Sequence, residues 1–246
     1  SKVDPDMLIN STKESLPKRD FSNLSHDERE KLYTRVNSNI AATLVNEKIL
    51  ENRLRKIKKN RSPGVDGLSI ENLISILYNG NSQKKLKDQI IKEYVIFLKK
   101  FLTGDLSSHQ NQVFYSLKLI GIPKNSAECR IIMITGLHSK IAFSLVTSSK
   151  RKKIVENKLL KYQYGAKRSG SESVIHIMQQ ILIQNLDYDL FSADAVKAFY
   201  KLNRDIALEI LKNSFPEVFN MFMAKYNNSA DAFVYGTAEG VLKFQQ

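Results

Sequence analysis

"VFYSLKLIGIPKNSAECRIIMIT", residues 113–135, is where the chain changes its hydrophobic period. Upstream, apolar residues recur every three or four positions, as on one face of a helix. Within the stretch, "VFYSLKLIGI" at 113–122 and "RIIMIT" at 130–135 are dense in β-branched and aromatic residues and read as strands. The link between them, "PKNSAEC", is short and polar, so the pair reads as a β-hairpin. Lys124 lies at its tip and Arg130 opens its second strand. Two cations on a rigid hairpin can grip a polyphosphate, the Arg through bidentate hydrogen bonds and the Lys as a point charge. A basic tip that simply faces solvent is the alternative.

Helical patterns flank the hairpin. Ser25-His26-Asp27-Glu28 has capping-box spacing and opens helical character that continues, with room for a break, to about Lys59, near which Ile49, Leu50, Leu54 and Ile57 recur at helical spacing. "NRSPGVDGLS", 60–69, breaks it with two turn signals, Pro63-Gly64 and Asp66-Gly67. Ser69 then caps a helix to about Tyr78, and 84–102 reads as a longer one with Leu86, Ile90, Tyr94, Phe97 and Leu98 on one face. "TGDLSSHQNQ" reads as a loop. After the hairpin come a helix in "SKIAFSLVT", a Gly- and Ser-rich turn in "YQYGAKRSGSES", and a helix over 171–184. The apolar face of that last helix is Val174, Ile177, Met178, Ile181 and Leu182. "DLFSAD", 189–194, reads as a further strand, and Asn203 caps a helix through Leu211. Helices interrupted by a hairpin and a later strand argue a mixed α/β class in the α+β arrangement.

Composition narrows the function. The chain has 246 residues, enough for one large domain or two small ones, and 42% hydrophobic content supports a buried core. Its net charge is +13, from 38 Lys and Arg against 25 acids, which points to a polyanionic partner. The cations cluster in "RLRKIKKNR" at 53–61, "KKLK" at 84–87 and "KRKK" at 150–153, which together can form a phosphate-tracking surface. One cysteine, Cys129, excludes an internal disulfide framework and a Cys-rich zinc site, and suits a reducing, intracellular compartment. No apolar run approaches the roughly 20 residues that span a bilayer, so no membrane partner is expected. The opening "SKVDPDMLINSTKES" has no apolar signal core.

Asp194 is the candidate chemical residue. A carboxylate at the C-terminal end of a strand sits at the open rim of a sheet, within reach of metals and substrates. A helix cap or a solvated loop acid is the structural alternative.

Four segments, in order, resemble reverse transcriptase blocks of the non-LTR retrotransposon and group II intron branch. They are "SPGVDGL" at 62–68, "LKLIGIPKNSAECRIIMIT" at 117–135, "YQYGAKRSGSESVIH" at 162–176 and "FSADAVKAFYKLNRD" at 191–205. "EGVLKFQQ" at 239–246 resembles the start of a fifth. The resemblance covers about 185 residues and rests on the order of the blocks, since each motif alone is weak. It implies a right-hand polymerase: a helical N-terminal extension over 1–59, fingers over 60–187 and an incomplete palm over 188–246. It implies RNA-directed DNA synthesis from dNTPs on an RNA template and a DNA primer.

The resemblance also implies residue roles. Asp194 would hold two Mg2+ ions with help from the backbone carbonyl of Ala195, which activate the primer 3′-hydroxyl and stabilise the leaving pyrophosphate. Phe199 would be the steric gate that rejects a 2′-hydroxyl; a core aromatic is the structural alternative, and it can partly be both. Lys124 and Arg130 would bind the triphosphate, with Gln246 near the incoming nucleotide. Gln163, Tyr164 and Gly165 would shape the surface beside the template, or serve as a packed turn. Gly64, within Ser62, Pro63, Gly64, Asp66 and Gly67, would lie along the template, or form a purely structural turn.

Three departures qualify these expectations. Ile131, not Pro, follows Arg130, and Tyr200 stands where many relatives have Asp or Asn. The aromatic-x-Asp-Asp block is absent from the 246 residues; Asp187 and Asp189 lie upstream of Asp194 and cannot supply it. By itself the chain is therefore expected to be inactive or nearly so, with the remaining palm and thumb supplied by further sequence or a partner chain. An RNA-binding or scaffolding domain, as in splicing-factor relatives, is the alternative from another class. A primer-independent RNA polymerase or terminal transferase is disfavoured by the bulk of Phe199.

Overall fold

Ser-x-x-Glu, Ser-x-x-Asn and Ser-x-x-Gln each open a helix. The computed structural model describes residues 7, 9–10, 25–36, 41–79, 84–124, 129–157, 163–165, 167–194, 202–227, 230–237 and 240–245. Ser25 and Glu28 exchange hydrogen bonds at the start of α1 (His26–Leu32), as expected from their spacing. A single 3-10 turn, Ala41–Leu44, precedes α2 (Glu47–Lys56), whose first turn is capped by Asn46. Ser69 and Asn72 form the box that opens α3 (Ile70–Ile74), which continues as a π turn over Ser75–Asn79. α4 (Lys84–Thr103) follows, then α5 (Ser108–Tyr115), opened by Ser107 and Gln110.

α5 corrects two readings. The stretch expected to be a loop contains its first turns, and residues 113–115, expected to be strand, are its last. Burial of Tyr115 decides this: its hydroxyl donates to the Met221 carbonyl at 3.0 Å, a contact the helix delivers. The strand therefore starts at Leu117. β1 (Leu117–Pro123) and β2 (Cys129–Thr135) pair antiparallel, so the expected hairpin forms.

The chain forms two compact units, Ser1–Val146 with Lys197–Gln246, and Thr147–Val196. These follow compactness; the segments 1–59, 60–187 and 188–246 follow the resemblance.

In the first unit, α6 (Leu137–Asn157) starts directly after β2. α8 (Arg204–Ser214) is capped by Asn203, which accepts from the amides of Asp205 and Ile206, and α9 (Pro216–Asn227) follows it. β3 (Asp231–Thr237) and β4 (Gly240–Gln245) then complete a sheet of order β2-β1-β3-β4. β1 and β3 run parallel and the outer pairs antiparallel, so the sheet is mixed and the fold is α+β. The main core gathers Leu50 and Leu54 of α2, Leu98 and Phe101 of α4, Ile141 of α6 and Met221 of α9. A second cluster lies on one face of the sheet, where Leu117, Leu119, Ile131, Ala232 and Val234 are joined by Met7.

The second unit contains the later part of α6, turn residues at 163–165 and 167–169, and α7 (Gly170–Gln184). α7 forms where its periodicity predicts. Its apolar face is only partly covered: Val174, Met178 and Leu182 are half-buried, while Ile177 and Ile181 are exposed. The strand expected over 189–194 does not form; residues 188–194 have no regular secondary structure. A strand exists only through a ladder partner, and none pairs with this segment among the described residues.

Candidate functional site

The hairpin is the element that assembles sequence-predicted site residues. β3 pairs only with Leu117, Lys118 and Leu119 of β1, so the distal half of the hairpin is a two-stranded ribbon extending past the sheet. Arg130 sits on that ribbon opposite Ile122, and Lys124 follows Pro123 at its end. Both cations are exposed. Pleat alternation places Arg130, Ile132 and Ile134 on the face opposite the buried Ile131. The arrangement places two exposed cations near the far end of the ribbon, away from β3.

The base of the hairpin is locked by the SPGVDG loop. Gly64 is buried, and a Cβ there would lie 2.6 Å from both the Gly136 Cα and the Thr135 carbonyl oxygen. The loop therefore touches the strand-to-helix junction backbone to backbone. Asp66 adds a side-chain bond: its Oδ2 accepts from the Leu137 amide at 2.8 Å, and its Oδ1 accepts from the Leu68 amide at 3.2 Å. The Leu137 amide is one of the orphan donors at the start of α6, so Asp66 acts as a cap supplied from a distant loop. Lys140 closes the contact by donating to the Ser62 carbonyl at 2.9 Å. Gly64 thus has a packing reason to be glycine that involves no template.

Beside this brace lies a polar pair in an aromatic box. The Tyr94 hydroxyl is 2.9 Å from His138 Nδ1, and Phe97 and Phe114 stand edge-on to the imidazole. Burial raises the phenol pKa and lowers that of the imidazole, with Asp66 opposing the second shift. The phenol therefore stays protonated and the ring is held neutral, with one hydrogen bond joining the hydroxyl and Nδ1.

The remaining predicted residues are placed separately. Gln163, Tyr164 and Gly165 form a local turn in the second unit: Gln163 Oε1 accepts from the Gly165 amide at 2.9 Å, and the Tyr164 carbonyl accepts from Lys167 at 2.9 Å. Lys167 also lies over the Tyr164 ring at 4.3 Å. A Cβ on Gly170 would come within 2.0 Å of the Tyr164 carbonyl oxygen, so this turn closes tightly onto the start of α7. Asp194 is exposed and ends the irregular stretch 188–194, so its expected place at a sheet rim is not what this segment provides. Ala195, Phe199 and Gln246 lie outside the described residues. Among the described residues no three His, Cys, Asp or Glu side chains gather as a metal site. A two-metal centre would therefore need carboxylates besides Asp194.

Sequence reasoning placed Asp66 in a turn that lies along the template or is purely structural, without its bond to Leu137, and did not name His138. Asp66 and Leu137 are 71 positions apart, and no local spacing signals their bond. Comparison with protein-family models and with curated proteins finds no match. Among the described residues no helix is long and apolar enough to cross a membrane.

Proposed function

We propose that this chain carries the fingers and part of the palm of an RNA-directed DNA polymerase. The observation that carries the reading is the braced hairpin. Two segments that resemble successive polymerase blocks meet where Gly64 packs on Thr135, Asp66 bonds the Leu137 amide just past the second, and the distal end of the second presents Lys124 and Arg130. In this reading Arg130 holds the nucleotide triphosphate by paired hydrogen bonds and Lys124 neutralises it from the tip. Asp194 contributes one carboxylate to a magnesium site that the described residues do not complete. The exposed cations of the 53–61 cluster, among them Lys56, Lys58, Lys59 and Arg61, give a surface for template and primer phosphates.

Primer extension tests it. The chain is assayed alone and extended through its downstream reading frame, with an RNA template, dNTPs and magnesium. DNA synthesis by the longer product alone supports the reading, and its loss in Asp194→Ala there assigns the carboxylate. One observation favours a second reading, an RNA-binding domain without catalysis: the segment leading to Asp194 forms no strand. That reading gains if neither protein extends a primer while both bind RNA.

A further inference from the structure

The first turn of α6 is tied, residue by residue, to the elements around it. The Leu137 amide donates to Asp66 Oδ2 at 2.8 Å, and the Lys140 ammonium to the Ser62 carbonyl at 2.9 Å, both in the SPGVDG loop. His138 bonds Tyr94 of α4 at 2.9 Å. The Ser139 hydroxyl donates to the Phe114 carbonyl of α5 at 2.6 Å. β2 enters this junction through Gly136 with no intervening loop. The orientation of the hairpin is therefore set where Gly136 meets the loop.

Gly136 identifies the residue in control. A Cβ built on it would lie 2.6 Å from Asp66 Oδ2, 3.3 Å from Asp66 Cγ and 3.8 Å from Asp66 Oδ1, and those are its three nearest atoms. Its φ is not among the positive ones, so no backbone conformation demands glycine there. A side chain at position 136 would have to displace the Asp66 carboxylate from where it sits. Gly64 differs, since its Cβ would strike the backbone of Thr135 and Gly136.

We propose that Asp66 is a positioning residue: its carboxylate, seated against Gly136 and bonded to the Leu137 amide, holds the hairpin and hence Lys124 and Arg130 in place. The part of this inference that concerns ligand binding rests on the polymerase reading above.

Hydrogen exchange on the full chain tests the mechanical part. In Asp66→Ala, amides of β1 and β2 should exchange about five- to tenfold faster, the effect of losing a helix cap, while those of α4 and α9 stay unchanged. Gly136→Ala should reproduce the effect by displacing the carboxylate. The double variant should be no worse than Asp66→Ala, because the new methyl then has no carboxylate to meet. Unchanged hairpin exchange in Asp66→Ala, faster exchange throughout the chain, or additive single effects would each overturn the proposal. If Asp66→Ala does not fold, Gly136→Ala, which displaces the carboxylate without removing it, takes its place. Titration with inorganic tripolyphosphate tests the functional part. Arg130→Ala and Asp66→Ala should each weaken binding about tenfold or more. Weakening by Arg130→Ala alone overturns the positioning role. Absence of binding by the unmodified chain sinks the polymerase reading instead, and the exchange result still decides the mechanical claim.

Discussion

Gly64 and Gly67 lie three residues apart and are glycine for different reasons. At Gly64 a Cβ would stand 2.6 Å from backbone atoms that no side-chain motion can clear. At Gly67 nothing lies within 4 Å, but φ is +65°, which L-residues adopt at a cost. Gly64→Ala should therefore destabilise by about 1–3 kcal/mol, and Gly64→Asn by more. Gly67→Ala should cost about 1–2 kcal/mol, and Gly67→Asn much less, because Asn tolerates the left-handed region. Urea denaturation of the four variants separates the cases; an asparagine equally tolerated at both positions would refute the distinction. His138 gives a pH dependence. Burial depresses its pKa below the ordinary 6.5, so the unfolded chain takes up the proton first as pH falls. The contribution of the neutral ring is complete above about pH 6.5 and is lost below it. Asp66, Tyr94 and Lys140 are the neighbouring titratable groups. Between about pH 7 and pH 5 the denaturation midpoint of the unmodified chain should fall more steeply than that of His138→Gln; parallel profiles would remove His138 as the cause.

At the scale of elements, helical periodicity is the same in α2 and α7 but burial is not. Leu50 on α2 is 0% exposed and Ile177 on α7 is 42% exposed. Leu50→Ala should cost about 2–5 kcal/mol, since it leaves a cavity among α2, α4 and α6. Ile177→Ala should change the stability of the isolated chain by about 0.5 kcal/mol or less. Calorimetry on both variants checks the contrast; a large loss from Ile177→Ala would mean the face is covered in solution. The strand expected over 189–194 belongs to the same lesson. Leu190 and Phe191 suit a strand, yet at 57% and 88% exposure they have neither ladder nor core among the described residues. β3 and β4 succeed because each has a hydrogen-bonded neighbour and an inward row, Ala232 and Val234 packing with Leu242 and Phe244.

For the whole molecule the dominant physical property is the charge of +13. If the chain neutralises about 6–10 phosphates of a duplex such as an RNA–DNA hybrid, affinity should drop by roughly 10³–10⁵ between 50 and 200 mM salt. Fluorescence anisotropy with labelled RNA measures the slope, and a flat response would exclude the basic surface as the binding element. Backbone-dominated contact also predicts weak dependence on RNA sequence at fixed salt.

Local features were legible because their causes span four residues or fewer. Ser25, Ser69 and Asn203 cap helices where spacing predicts, and the change of period marks the hairpin carrying Lys124 and Arg130. The net charge needs no structure at all. Tertiary structure decided the rest. It drew residues 113–115 into α5 through the buried Tyr115, withheld a strand from 189–194, and built β3 and β4 against β1. It also gave the SPGVDG loop a role as the brace of the hairpin, through a bond between Asp66 and Leu137 that spans 71 residues. A cap is chosen by its own neighbours, whereas a strand or a brace exists only when the fold brings its partner to it.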